Sequence, residues 1–245
     1  MKSAPAFQIL NEVDSTNNYA MASIHAGLAT HGMAWFALDQ YAGKGQRGKS
    51  WKSSPGENII LSIAFRPPAQ FWPLPFLFNA LISNTCHRFL EKIMPGEVRI
   101  KWPNDLFIRD RKAGGILIEN KYQGKAWNWA VVGIGINVNQ EDFGTELSQA
   151  TSLKSLTGTA FDSIFLAKEL QLSLLEAIDK SQLANLEEVL SEYNRFLFKR
   201  GEQVRLRQNN IVFETRIEEV DRFGKLHTSN SIPQIFDFGE VQWVL

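Results

Sequence analysis

The sequence predicts a mixed helix-and-strand fold, α/β or α+β, followed by a separate small all-β unit. Three observations predict it. Apolar runs of strand character alternate with stretches of helical apolar spacing up to residue 198. After Arg200 the helical spacing stops, and short strand-like runs punctuated by Gly224 and Gly239 take over. The composition, 44% hydrophobic and 21% charged over 245 residues, is that of a folded chain of one or two domains rather than a disordered one.

Each element has a local reason. Asp14-Ser15-Thr16-Asn17 precedes an apolar helical pattern, so Ser15 or Thr16 is the expected N-cap and Gly27 the expected stop. Residues 33–38 read as a strand, 43–48 as a glycine-rich loop, and 58–65 as a second apolar strand. Over 74–94 the apolar residues Leu77, Phe78, Leu81, Ile82, Cys86, Phe89, Leu90 and Ile93 recur at helical spacing. Cys86 lies on that stripe, which makes it a small core residue and not a nucleophile. Strands are expected at 98–102, 106–108, 115–119 and 126–138, and helices at 163–178 and 182–198. The β-rich tail then offers 202–206, 211–220, 225–227, 232–236 and 241–244. The boundary falls near 199–201, which divides the chain into 1–199 and 200–245.

Charge and cysteine content exclude several classes. Lys+Arg and Asp+Glu number 26 each, so no overall field draws the chain to duplex nucleic acid or an anionic membrane. A single cysteine rules out an internal disulfide framework and fits a reducing compartment. The four histidines are scattered without zinc-like spacing. Residues 1–8 lack a signal pattern, and the charge-free stretch 67–87 is too short and too interrupted by proline for a membrane span. The expectation is a cytoplasmic protein that neither enters membranes nor binds nucleic acid.

The octet Gly43-Lys44-Gly45-Gln46-Arg47-Gly48-Lys49-Ser50 matches two phosphate-binding patterns, the dinucleotide G-x-G-x-x-G and the P-loop G-x-x-x-x-G-K-[ST]. Both need a helix directly after the glycines. Here Trp51-Lys52-Ser53-Ser54-Pro55-Gly56 follows, which is turn chemistry leading into a strand. The dinucleotide pattern also wants an acid about 20 residues on, where this chain has Ile63-Ala64-Phe65-Arg66-Pro67-Pro68. Both readings are set aside. What remains is a flexible loop with four cations, Lys44, Arg47, Lys49 and Lys52, and no acid between Gln40 and Gly56. Such a loop suits a phosphate, unless it is a solvated basic hairpin.

Three further segments accompany it: Lys101-Trp102-Pro103-Asn104-Asp105, Arg111-Lys112-Ala113-Gly114-Gly115-Ile116-Leu117-Ile118-Glu119, and Gly133-Ile134-Gly135-Ile136-Asn137. Singly, each has a structural explanation: Asn104 a turn residue, Lys112 a solvated cation, Gly133 and Gly135 sites of close strand packing. In this order, after Ser15-Thr16-Asn17 and the glycine loop through Trp51, the motifs closely resemble those of the biotin–protein ligases. The resemblance covers about residues 8–245.

The resemblance implies an α+β fold: a mixed sheet with flanking helices, like class II aminoacyl-tRNA synthetases, plus a small C-terminal SH3-like β barrel. It implies an ATP-dependent biotin–[acetyl-CoA-carboxylase] ligase. Biotin reacts with MgATP to give biotinyl-5′-AMP, and the biotinyl group passes to a lysine of a biotin carboxyl carrier protein. Positioning and charge stabilisation suffice for this chemistry. By position, Ser15, Thr16, Asn17 and Gln40 would bind the ureido head of biotin. Gly43, Lys44, Gly45, Gln46 and Arg47 would close over its chain and the phosphate, beside Gly115. Lys112 would meet the biotin carboxylate and the α-phosphate, with Arg47 as the second catalytic cation. Trp51, Asn104 and Asn137 would contact the adenylate together with Lys44, and Asp105 would sit near Mg²⁺.

Two features depart from the family pattern. Gln46 and Lys44 stand where arginines are usual, which leaves open which cation meets the phosphate. Ser15 comes so early that no winged-helix domain precedes it, so DNA binding is not expected. Family members are monomers or homodimers formed by sheet-edge pairing. Two competing readings remain. A lipoate–protein ligase-like enzyme lacks support because its arginine-pair and glycine-triplet loop is missing. A non-catalytic biotin-binding regulator would not need Lys112 or the cationic loop.

Overall fold

The computed structural model describes residues 5–181, 185–230 and 232–244. Its larger sheet has seven strands: β1 (Phe7–Val13), β2 (Ala34–Gln40), β3 (Ile59–Phe65), β4 (Val98–Lys101), β5 (Asp105–Ile108), β6 (Arg111–Gln123) and β7 (Ala126–Ile136). Their order is β1-β2-β3-β7-β6-β5-β4. β1 runs parallel to β2 and every other neighbouring pair is antiparallel, so the sheet is mixed.

Strand periodicity divides the core between the two faces of this sheet. Phe36, Leu61 and Ile63 point to one face, where α2 (Pro75–Glu91) and α4 (Ser163–Lys180) lay their apolar stripes, including Phe78, Ile82, Leu170 and Leu174. Trp35, Ala64 and Val131 point to the other, against Ala20 and Ile24 of α1 (Thr16–His25). Cys86 is fully buried in the first cluster. Desolvation pushes its thiol up to about 12, so it is inert core, as its position on the stripe predicts.

The C-terminal sheet contains β8 (Gln203–Gln208), β9 (Ile211–Val220), β10 (Leu226–Ser229), β11 (Pro233–Phe236) and β12 (Gln242–Val244). It is wholly antiparallel, in the order β11-β10-β9-β8-β12, and forms the expected SH3-like β unit. Side chains of the preceding part of the chain tie it down at two places. Asn194, in α5 (Leu186–Arg195), donates to Val220 O at 2.8 Å and accepts from Val220 N at 2.7 Å. The Trp102 indole N–H donates to Gly224 O at 2.9 Å.

Several boundaries differ from expectation for identifiable reasons. The helix expected at 182–198 is observed as Leu186–Arg195, and 182–184 lie outside the described residues. It stops short of 198 because Leu197 leaves it to bridge to Ile100. The strand expected to reach 138 ends at Ile136, and the Val138 amide is taken by the Asn58 side chain. Two elements were not anticipated. β1 is an edge strand whose burial does not alternate. α3 (Leu153–Thr157) has only five residues, set by the Ser152 cap and left-handed Gly158. No helix among the described residues is long and apolar enough to cross a membrane.

Candidate active site

A cavity of about 940 Å³ opens over the larger sheet, between the glycine loop and the C-terminal unit. Nearly all the residues singled out in the sequence line it: Ser15, Thr16 and Asn17 from the start of α1, Gln40 from the end of β2, and Lys44 to Arg47 with Trp51 from the loop. Asn104, Asp105, Lys112, Gly115 and Asn137 come from the β4–β7 side. Gly43 does not line it. It sits behind the loop, where an added Cβ would fall 2.4 Å from both the Gln40 amide and the Trp51 carbonyl.

One end of the cavity is neutral. The Thr16 amide donates to Gln40 Oε1 at 2.8 Å. Asn17 Nδ2 donates to Glu119 Oε2 at 2.8 Å. Ser62 Oγ lies 2.7 Å from Thr16 Oγ1 and 2.6 Å from Asn17 Oδ1. Ser15 occupies the N-cap position of α1 in extended conformation, yet its side chain makes no capping bond. Ser62 was not anticipated, although it left a signal: it is the one polar residue in the apolar strand Ile59–Phe65. Glu119, at the end of its motif, likewise had no assigned part.

The other end is cationic. Lys44, Arg47, Lys49, Lys52, Lys101 and Lys112 line the cavity with Asp105 as its one carboxylate among the described residues. The loop folds back on itself: the Gly45 amide donates to Lys49 O at 2.6 Å and the Trp51 amide to Gly43 O at 2.8 Å. Some of its N–H groups are therefore spent internally, and the cationic side chains carry much of its capacity for anions. Lys112 Nζ donates to Asp105 Oδ1 at 2.5 Å and stands 6.0 Å from the centre of the Trp51 ring. Burial pushes the Lys101 ammonium down to about 8, with nearby Lys112 and Lys49 adding to the shift and Asp105 opposing it.

Gly133 and Gly135 make room for side chains that cross the sheet, the second of the two explanations their motif allows. A Cβ at Gly133 would fall 2.3 Å from Asn17 Oδ1, and one at Gly135 2.5 Å from the Trp51 indole. The two glycines make room for one residue of each end of the cavity. Asn104 Nδ2 donates to Ile116 O and Asn137 Nδ2 to Thr151 O at 2.9 Å, so both amides spend a donor within the fold. No cluster of three or more metal-ligating side chains exists among the described residues.

These features define an α+β binding protein whose cavity joins a neutral hydrogen-bonding pocket to a cationic one. The model of the biotin/lipoate A/B protein ligase family matches residues 10–137, and the chain belongs to that family. It is 33% identical over 196 residues to the bifunctional ligase/repressor BirA of Salmonella typhimurium, covering 76% of this chain and 58% of that one. It is 30% identical over 201 residues to the biotin–[acetyl-CoA-carboxylase] ligase of Mycobacterium tuberculosis, covering 81% and 73%. The chain thus spans little more than half the length of the Salmonella relative. Among solved structures, the biotin protein ligase from Aquifex aeolicus in complex with biotin and ATP superposes with a TM-score of 0.80 at 23% identity, over 97% of both chains.

Proposed function

We propose that the chain is a biotin–protein ligase with its catalytic part in residues 1–199 and an SH3-like unit in 200–245. The single observation that carries this reading is the cavity, where a neutral pocket suited to a cyclic urea meets a cationic pocket suited to phosphates. The relatives' names support the substrate and the chemistry.

In the first step a carboxylate oxygen of biotin attacks the α-phosphorus of MgATP, the bond to the bridging oxygen breaks, and pyrophosphate leaves. In the second, the amine of an acceptor lysine attacks the acyl carbon, AMP departs and the amine sheds a proton. Ser15, Thr16, Asn17 and Gln40 hold the ureido group through complementary donors and acceptors. The Lys44–Gln46 segment and Gly115 bound the biotin chain. Lys112 stands between carboxylate and α-phosphate and, with Arg47, offsets the repulsion of two anions and the charge gained on phosphorus. Trp51 offers the adenine a flat face, Lys44, held by Asn18 and Glu119 beside the neutral pocket, reaches toward the adenylate from that side, and Asn104 and Asn137 keep their side-chain oxygens for contacts to the adenylate.

Mg²⁺ arrives as part of MgATP. With one Asp105 oxygen committed to Lys112, the cavity offers a second carboxylate oxygen at most, which fits an ion carried mainly by phosphates. The acceptor is a biotin carboxyl carrier protein, and a cytoplasmic location fits the single free cysteine.

ATP–pyrophosphate exchange tests the reading. Exchange should require biotin, and lipoate should not replace it. Exchange with lipoate would favour the lipoate ligase, and binding of biotin without any exchange would favour a regulator.

A further inference from the structure

The cations of the cavity are held in two different ways. Lys112 has a carboxylate at 2.5 Å, and Lys44 lies 3.8 Å from Glu119 and 2.5 Å from Asn18 Oδ1. Arg47 and Lys101 have no ion-pair partner among the described residues and rest on aromatic faces instead. The Arg47 guanidinium carbon lies 5.7 Å from the centre of the Phe238 ring, and Lys101 Nζ lies 5.4 Å from Trp243 and 5.1 Å from Phe107. A carboxylate cancels the charge that it positions, whereas an aromatic face positions the cation and leaves its charge for a ligand.

Phe238 and Trp243 belong to the C-terminal unit, and both are braced. Phe238 stands edge-on to Trp102 at 5.9 Å, and Trp102 is itself hydrogen-bonded to Gly224. Trp243 packs on Phe198 at 5.8 Å. Gly239, which follows Phe238, has a φ of +87°, and the space a Cβ would fill there is taken by Arg47 Nη1, so the tip of the guanidinium abuts the backbone of that turn. Arg47 also takes a left-handed conformation, at φ 55°. Two cations without a carboxylate in contact, Lys101 attracted by Asp105 only from a distance, carry an electrostatic cost in a partly desolvated cleft that an anion meeting both would relieve.

We infer that residues 238–243 form one wall of a pyrophosphate subsite, with Phe238 and Trp243 as positioning residues for Arg47 and Lys101. The inference rests on the adenylate-forming reading for its ligand. It gives the C-terminal unit a part in binding the leaving group and not only in stability. The inferred ligand is the β,γ end of a nucleoside triphosphate, or free pyrophosphate in the reverse direction.

The test uses the full chain with Phe238→Ala and Trp243→Leu, each checked for an unchanged thermal transition. Inorganic pyrophosphate is titrated by calorimetry, and exchange supplies separate KM values for pyrophosphate and biotin. Each substitution should weaken pyrophosphate about tenfold, the scale of one partly desolvated cation–aromatic contact. The biotin KM should stay within about twofold, since the neutral end is untouched. Phe238→Ala should add nothing in an Arg47→Ala background, and Trp243→Leu nothing in a Lys101→Ala background. Pyrophosphate binding unchanged in the single variants, or full additivity in the doubles, would overturn the wall. Pyrophosphate binding that responds as expected in a chain without biotin-dependent exchange would leave the wall standing and remove the ligase reading instead.

Discussion

The two ends of the cavity are built on opposite plans. At the neutral end, Thr16, Asn17, Gln40 and Ser62 sit on α1, β2 and β3, and their polar atoms already bond to one another and to Glu119. At the cationic end the groups come from a loop, from the β4–β6 strands and from the C-terminal turn, and five cations, all those lining the cavity except Lys44, share one carboxylate. Regular structure fixes a hydrogen-bonding pocket before its ligand comes, as recognition of a neutral head group requires. Surplus charge cannot be satisfied from within, so the cationic end is completed by its ligand. The first end should govern which acid is bound and the second should govern chemistry.

The sharpest way to break that division is at Lys112. Lys112→Ala should reduce biotin-dependent exchange by about a thousandfold, as loss of a group aimed at developing charge does. Its partly exposed side chain should make the thermal transition insensitive to the change. Exchange within tenfold of the parent would show that the cationic end does not carry the chemistry. The converse perturbation is Gly133→Ala. The new methyl would press on Asn17 Oδ1, so Asn17 must turn away from Ser62 and Glu119. The biotin KM should rise about tenfold, the scale of one or two lost hydrogen bonds, while the pyrophosphate KM holds. If both constants rise together, the two ends are not independent.

The difference also explains what could be read from the sequence. The neutral end and the loop were legible because Ser15-Thr16-Asn17, the glycine octet and Lys112-Ala113-Gly114-Gly115 are contiguous words. The mixed fold was legible from periodicity, since Phe36, Leu61 and Phe78 fall where helix and strand spacing place them. Ser62 and Glu119 were missed because their part depends on registry across strands, where Ser62 lies opposite Gly133. Phe238 and Trp243 were invisible for a related reason: they reach Arg47 and Lys101 only through the way one sheet seats against the other. Gly239 was noted only as punctuation, and its close approach to Arg47 is a fact of three dimensions.

The smallest expected effect separates the two ends by pH. Thr16, Asn17, Gln40 and Ser62 carry no titratable group, so the biotin KM should change less between pH 7 and 9 than the pyrophosphate KM. Lys101 is different. Its ammonium, faced by Asp105, Lys112 and Lys49, is held down to about 8 chiefly by burial. Below that value it is charged and attracts pyrophosphate, and above it the attraction is lost. The pyrophosphate KM should therefore rise on going from pH 7 to pH 9, by up to about tenfold, since the protonated fraction falls by that factor. Other cations remain, so the rise should not exceed it. Lys101→Arg keeps its charge over this range and should flatten the protein's share of the profile. The ligand's own ionisation is common to both proteins and cancels in their ratio. Parallel profiles for parent and Lys101→Arg would mean that Lys101 does not meet the phosphates. A biotin KM that rose as steeply with pH as the pyrophosphate KM would mean that the two ends are not separated by charge.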